Sequence, residues 1–223
     1  MTSDEPLARR AEDSDTSVAV LLFAGRVLPR ALRRLPRADI DDVAEAAREN
    51  GRLIVVGSDA DLAAVLTALL RAELLDVEIG FVPDRRSPAT HAYRISPGRR
   101  GARRALRGTP RRVPLIRDDT GHAIAGKAMW RGPKGPLHGE GVVDDTTLFD
   151  GDVAWVVIEP IATVPGLRAG VVTTQGDRRR WVTGRAAQLG TTGAVVSRDG
   201  VAAEQPVRRS TFYRHVKGWL LVG

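Results

Sequence analysis

The chain has 223 residues and a hydrophobic content of 43%, enough for one large domain or two modest ones, each with a real core. No apolar run approaches the roughly 18 residues of a membrane span. Zero cysteines exclude a disulfide framework or thiolate metal site, and four scattered histidines argue against a zinc centre. In chain order, Met1 to Ser17 is acidic and polar, without the basic start and apolar core of a secretory signal, and reads as a disordered leader. Val18 to Phe23 is an apolar run bounded by Gly25, a first buried strand. Arg26 to Arg37 holds two prolines, so any helix there is short. Asp39 to Asn50 predicts a helix with Asp39 or Asp41 as cap and Asn50-Gly51 as a left-handed stop. Leu53 to Val56 is a second strand, Leu62 to Leu75 a second helix, and Val77 to Val82 a third strand closed by Pro83. Strands alternating with helices at this spacing predict a parallel sheet with crossover helices.

From Asp84 the character changes. Residues 85 to 112 contain ten arginines and no acid, with a helix predicted around Arg99 to Arg107 and ended by Gly108 and Pro110. Beyond that, β-type runs occupy Val153 to Ile158, Gly170 to Thr174, Trp181 to Thr183, Gly193 to Ser197 and Trp219 to Val222. Asp150-Gly151 and Asp199-Gly200 read as hairpin turns. The expected fold is an α/β N-terminal domain with a parallel sheet plus a C-terminal all-β sandwich. The expected divisions are 1–17, a leader; 18–110, a nucleotide-binding-like domain, shortened; and 111–223, the sandwich.

The net charge of +7 is carried almost wholly by arginine, since Lys127, Lys134 and Lys217 are the only lysines. Codon bias accounts for arginine over lysine. The excess of cations over anions favours anionic partners such as nucleotide, lipid headgroups or nucleic acid.

The most informative stretch is Leu53-Ile-Val-Val-Gly57-Ser58-Asp59-Ala60-Asp61-Leu62, a buried-strand pattern running into a Gly/Asp turn at a helix start. Such a turn is how α/β proteins present phosphate groups to backbone N–H donors. The same residues have a plainer reading, with Gly57 as a turn glycine and Asp59 as a helix cap. Asp199 with Gly200 is an ordinary hairpin turn at least as often as a base. Trp130, Trp155, Trp181 and Trp219 read as core or rim packing. His91, His122, His138 and His215 have no partner that would make a triad or ligand set.

With these motifs in order, the chain resembles the diacylglycerol kinase / sphingosine kinase family of lipid kinases from about Asp39 onward. Gly57 to Asp61 stands where that family has Gly-Gly-Asp-Gly-Thr. Ile79-Gly80-Phe81-Val82-Pro83 matches its next strand, and Arg111-Arg112-Val113-Pro114-Leu115 its entry into the β domain. Phe149-Asp150-Gly151-Asp152-Val153, Pro165-Gly166-Leu167, Gly184-Arg185-Ala186-Ala187-Gln188-Leu189 and Asp199-Gly200 follow its C-terminal sandwich in order. The resemblance implies ATP and magnesium as cofactors and phosphoryl transfer to a lipid hydroxyl. It implies a nucleotide site at Gly57, Ser58, Asp59, Ala60, Asp61, Arg85, Arg86 and Ser87, and Asp199 as the base.

The chain departs from that pattern. Ser58 and Ala60 replace glycines, and Asp61 replaces a threonine. Arg85-Arg86-Ser87-Pro88-Ala89 stands where Gly-Thr-x-Asn-Asp is expected, and Val201 replaces a glutamate. Each added Cβ restricts close backbone approach. A carboxylate at Asp61 facing polyphosphate at ~4 Å would cost roughly 4 kcal/mol at an effective dielectric of ~20. Two functions follow: an ATP-dependent lipid kinase of weak or lost activity, or a non-catalytic protein binding lipid, nucleotide or a partner. Nucleic-acid binding is the least favoured, having only charge behind it. No metal site is expected. The composition fits a cytoplasmic protein, with peripheral attachment to an anionic membrane through residues 85–112 as an extension.

Overall fold

A computed structural model of the chain describes residues 17–172 and 181–223; the expected leader therefore lies almost wholly outside the described residues. The apolar runs of the first half build a five-stranded sheet. Its strands are β1 (Val18–Leu22), β2 (Arg52–Val56), β3 (Glu78–Phe81), β4 (Pro110–Val113) and the C-terminal β16 (Trp219–Val222), in the order β1-β2-β3-β16-β4. The first four in that order are parallel, and β4 runs antiparallel to β16. Trp219–Val222, expected in the β half, thus returns to the first sheet. A four-residue apolar run carries no label for which sheet it completes.

The helices differ from expectation in their caps. α1 (Val43–Glu49) is capped by Asp42, whose side chain accepts from the Glu45 N–H, not by Asp39 or Asp41. Asn50 ends it in an extended conformation, so no left-handed stop forms there. α2 (Asp59–Arg71) buries Leu62, Val65, Leu66 and Leu69 against the sheet. α3 (Pro88–Tyr93) was not expected, although Ser87-Pro88 is a start signal, a capping hydroxyl before proline at the first helical position. α4 (Gly98–Arg107) buries Gly101, Ala102 and Ala105 and leaves its arginines outside. Buried Arg52 ties this helix to the sheet. Its guanidinium pairs with Glu78 at 2.6 Å and donates to the Leu106 and Gly108 carbonyls at 2.7 and 3.2 Å, satisfying the C-terminal end of α4.

The remaining strands are β5 (Ile116–Asp118), β6 (Ala123–Ile124), β7 (Ala128–Arg131), β8 (Leu137–Val143), β9 (Thr146–Val153), β10 (Trp155–Pro160), β11 (Leu167–Val172), β12 (Trp181–Gly184), β13 (Ala186–Arg198), β14 (Val201–Ala202) and β15 (Val207–Arg214). The long β13 serves both layers of this antiparallel unit. Ala187–Gly190 pairs with β8 and β15, whereas Val195–Arg198 pairs with β7, and the register breaks between Gly190 and Ala194. Between the layers lies a core with Trp130, Val156, Ile158, Leu167 and Phe212 fully buried. Asp150-Gly151 lies inside β9 rather than in a hairpin turn, with Gly151 at φ 101°. Asp199-Gly200 does turn β13 into β14, with φ of 50° and 93°. Residues 173 and 174 of the run expected from Gly170 lie outside the described residues.

The two units share packing. Ala123 and Ala125 of the β unit join the core beneath α2, and the Ala123 N–H donates to Thr67 Oγ1 at 3.0 Å. This contact brings the Asp199 hairpin to the starts of α2 and α3.

Candidate functional site

Three short segments meet where β2, β3 and the β13–β14 hairpin end. The first is the turn after β2. Ser58 caps α2, and its side chain accepts the Asp61 N–H while Asp61 reaches back to it. One Asp61 carboxylate oxygen takes both the Ser58 backbone N–H and its hydroxyl at 2.7 Å. Asp61 folds over Gly57 so closely that a Cβ at Gly57 would lie 2.8 Å from the Asp61 Cβ and Oδ2. Gly57 is therefore glycine to admit a carboxylate of the chain itself. Ala60 is half-buried on α2 and brings no polar group.

The second segment is the start of α3. Asp59 does not cap its own helix; it caps this one. Its carboxylate is buried and accepts the Ser87 hydroxyl at 2.6 Å and the Ala89 N–H at 3.0 Å. An internal anion thus sits on the positive end of each helix, Asp61 on α2 and Asp59 on α3, which is favourable electrostatically.

The third segment is the hairpin. Asp199 accepts the N–H groups of Ala125, Gly126 and Lys127 at 2.9, 2.7 and 2.9 Å. Gly126 separates the two acids. A Cβ there would collide with Asp59 Oδ2 and lie 3.0 Å from both Asp199 Oδ1 and the Ala89 nitrogen. Burial raises the Asp199 carboxyl from 3.8 to about 6; its three N–H bonds oppose the rise, and the Asp59 charge adds to it. Tyr93 closes the cluster. It is 1% exposed, edge-on to Trp219 at 5.3 Å, and its hydroxyl has no hydrogen-bond partner among the described residues. Burial pushes its ionisation up, the neighbouring Trp219 side chain opposes the rise, and Asp199 and Asp59 add to it.

Beside this cluster, between α3, α4 and the β10–β11 turn, opens a cleft of about 1050 Å³. Ser87 and Tyr93 belong to both. Arg86, Arg94, Arg104, Arg111 and Arg168 line the cleft with Ile95, Pro160, Ile161 and Ala162, and no aspartate or glutamate lines it.

The structure therefore brings Asp59, Ser87 and Asp199 together and places Arg86 at the cleft. Arg85 is exposed and outside the cleft lining. Sequence reasoning did not find Gly126, Tyr93 or the roles of Arg94, Arg104 and Arg168. The Ser87-Pro88 start signal was the one local cue to Tyr93.

A magnesium-nucleotide does not fit the Gly57–Asp61 turn in this arrangement. The Ser58 N–H is spent on Asp61, whose carboxylate occupies the space over Gly57. No group of three or more His, Cys, Asp or Glu suited to a metal forms among the described residues. No described helix is long and apolar enough to cross a membrane.

A parallel-containing α/β sheet packed on a large antiparallel unit matches the two-domain fold of diacylglycerol-kinase-like structures. A diacylglycerol kinase structure from Bacillus anthracis superposes with a TM-score of 0.72 at 10% identity, covering 93% of this chain and 96% of that one. A putative diacylglycerol kinase from the same organism gives 0.69 at 9% identity over 94% and 98%. An NAD kinase from Archaeoglobus fulgidus, in complex with ATP, gives 0.61 at 13% identity over 92% and 93%. At these identities the likeness is one of fold. No protein-family model and no curated protein matches the sequence.

Proposed function

We propose that this protein is a kinase-fold binding protein that does not transfer phosphoryl groups through its Gly57–Asp61 turn. In this reading it keeps the cleft between its two units as a site for a nucleotide or a lipid. The observation that carries the reading is the Ser58–Asp61 capping box, which fills with a carboxylate the place where a phosphate would sit. A polyphosphate arriving there must displace Asp61 and then face Asp59 as well. Phosphoryl transfer depends on positioning and charge neutralisation, and this turn offers negative charge instead.

Nucleotide binding is supported by the ATP complex of the fold neighbour, and lipid binding by the diacylglycerol kinase neighbours. Asp199, ionising near about 6, retains the basicity of a general base at neutral pH, which favours a transferase as the second reading. Incubation with magnesium and γ-labelled ATP in mixed micelles of diacylglycerol separates the two. We expect no labelled lipid above background. Labelled lipid formed by the wild type and lost in Asp199→Asn would overturn the proposal.

A further inference from the structure

We infer that the cleft beside α3 is an anion-binding site in which Arg86, Arg94, Arg104 and Arg111 hold the phosphate of an amphiphilic phosphorylated compound. The inference rests on the reading above that the cleft is retained for binding, and it assigns the ligand chemistry to residues outside the closed turn.

The first ground is charge. Arg86 comes from the β3–α3 connection, Arg94 from the end of α3, Arg104 from α4 and Arg111 from β4, so separate elements deliver cations to one concavity. Among the described residues, Arg86, Arg94 and Arg104 make no ion pair, and Arg111 gives one N–H to the Tyr93 carbonyl at 2.8 Å. Outside the cleft, Arg26 pairs with Asp84, Arg52 with Glu78, Arg112 with Asp76 and Arg198 with Asp118, whereas Arg99, Arg103 and other exposed arginines make no ion pair among the described residues, so the mark of the cleft is the convergence of its cations. Arg168, the fifth cleft arginine, is also paired, with Glu159 at 2.6 Å, and it serves as wall rather than as anion ligand. Guanidinium groups that line one concavity repel, and an oxyanion that accepts forked hydrogen bonds relieves the repulsion.

The second ground is backbone conformation. Arg94 ends α3 in the left-handed region, at φ 57° and ψ 41°. Glycine or asparagine occupies such a position at lower cost, yet here a long cation is placed at the cleft. The third ground is the apolar remainder of the wall. Phe81, Ile95, Pro97, Pro160, Ile161 and Ala162 offer surface to a non-polar body beside the phosphate. A nucleotide and a lipid phosphate share this chemistry, a dianionic head on an apolar or planar body.

The test uses the full chain at low salt, without magnesium, by titration calorimetry with three probes: inorganic pyrophosphate, ADP and a water-soluble short-chain phosphatidate. Arg94→Asn removes the charge and suits the left-handed backbone, and Arg104→Gln keeps a good helix former on an exposed face. Arg99→Gln and Arg103→Gln remove exposed charges of the same helix outside the cleft lining. We expect at least one amphiphilic probe to bind more tightly than pyrophosphate. Arg94→Asn and Arg104→Gln should each weaken it about tenfold or more, with Arg99→Gln and Arg103→Gln within about twofold of wild type. Tighter ADP names a nucleotide ligand, and tighter phosphatidate a lipid one. Binding of no probe at millimolar concentration overturns the inference, and so does an equal loss in all four variants, which would indicate diffuse attraction to a basic surface. Binding of no probe would also remove the binding half of the reading above, whereas the labelled-ATP result, which tests phosphoryl transfer alone, would stand.

Discussion

The acid cluster and the arginine cleft share Ser87 and Tyr93 but are built on opposite terms. On the acid side these hydrogen bonds are internal: Asp61 answers Ser58, Asp59 answers Ser87 and Ala89, and Asp199 answers three consecutive amides. On the basic side, Arg86, Arg94 and Arg104 are exposed and make no ion pair among the described residues. A polar group answered by its own chain contributes stability. Exposed like charges lining one concavity contribute little stability and gain from an anionic ligand. The acid side should therefore respond to mutation in melting temperature, and the basic side in binding.

The largest effect is expected at Asp199. Asp199→Ala leaves three amides without an acceptor, at about 3 kcal/mol or more, which calorimetry should read as a fall of roughly 6–12 °C for a chain of this size. Asp59→Ala removes two hydrogen bonds but also the repulsion with Asp199, so about 2 kcal/mol, or roughly 4–8 °C, is expected. Asp61→Ala loses the capping box, about 1 kcal/mol or roughly 2–4 °C. Arg104→Gln, on the exposed side, should stay within about 0.5 kcal/mol. A melting temperature that drops more for Arg104→Gln than for Asp61→Ala would break the contrast.

Acidity sharpens the same comparison. Folded Asp199 ionises near about 6 against 3.8 as the ordinary value, so between those values the folded state holds more protons than the unfolded one. The stabilisation from this group is complete below about pH 4 and is lost as pH rises through about 6. The melting temperature of the wild type relative to Asp199→Asn should therefore decline across that window and level off above it. A difference that rises with pH would place the Asp199 carboxyl on the other side of its ordinary value.

Local signals carried much of the fold. Leu53–Val56 alternating with an amphipathic Leu62–Leu69 is legible as strand and helix because burial imposes those periods. Ser58-x-x-Asp61 is itself a capping-box pattern, and the phosphate-turn reading of the same residues obscured it. Other features depend on distant pairings that no window contains. Asp199 on Ala125–Lys127, Asp59 on α3 rather than α2, Arg52 on the end of α4 and Trp219–Val222 beside β3 are of this kind. The arginines of residues 85–112 were legible as a run. Their sorting into cleft and outer face depends on which side of α4 packs on the sheet.

The central claim is that the turn is closed by the chain's own carboxylates and that anion binding belongs to the arginines. The direct measurement is titration of ATP with and without magnesium into the wild type and Asp59→Asn. Arginine-held phosphate should bind no more tightly when magnesium neutralises it, and Asp59→Asn should leave the magnesium response unchanged. Magnesium that tightens ATP binding tenfold in the wild type, with the gain lost in Asp59→Asn, would contradict the account and place a working nucleotide site at Gly57–Asp61.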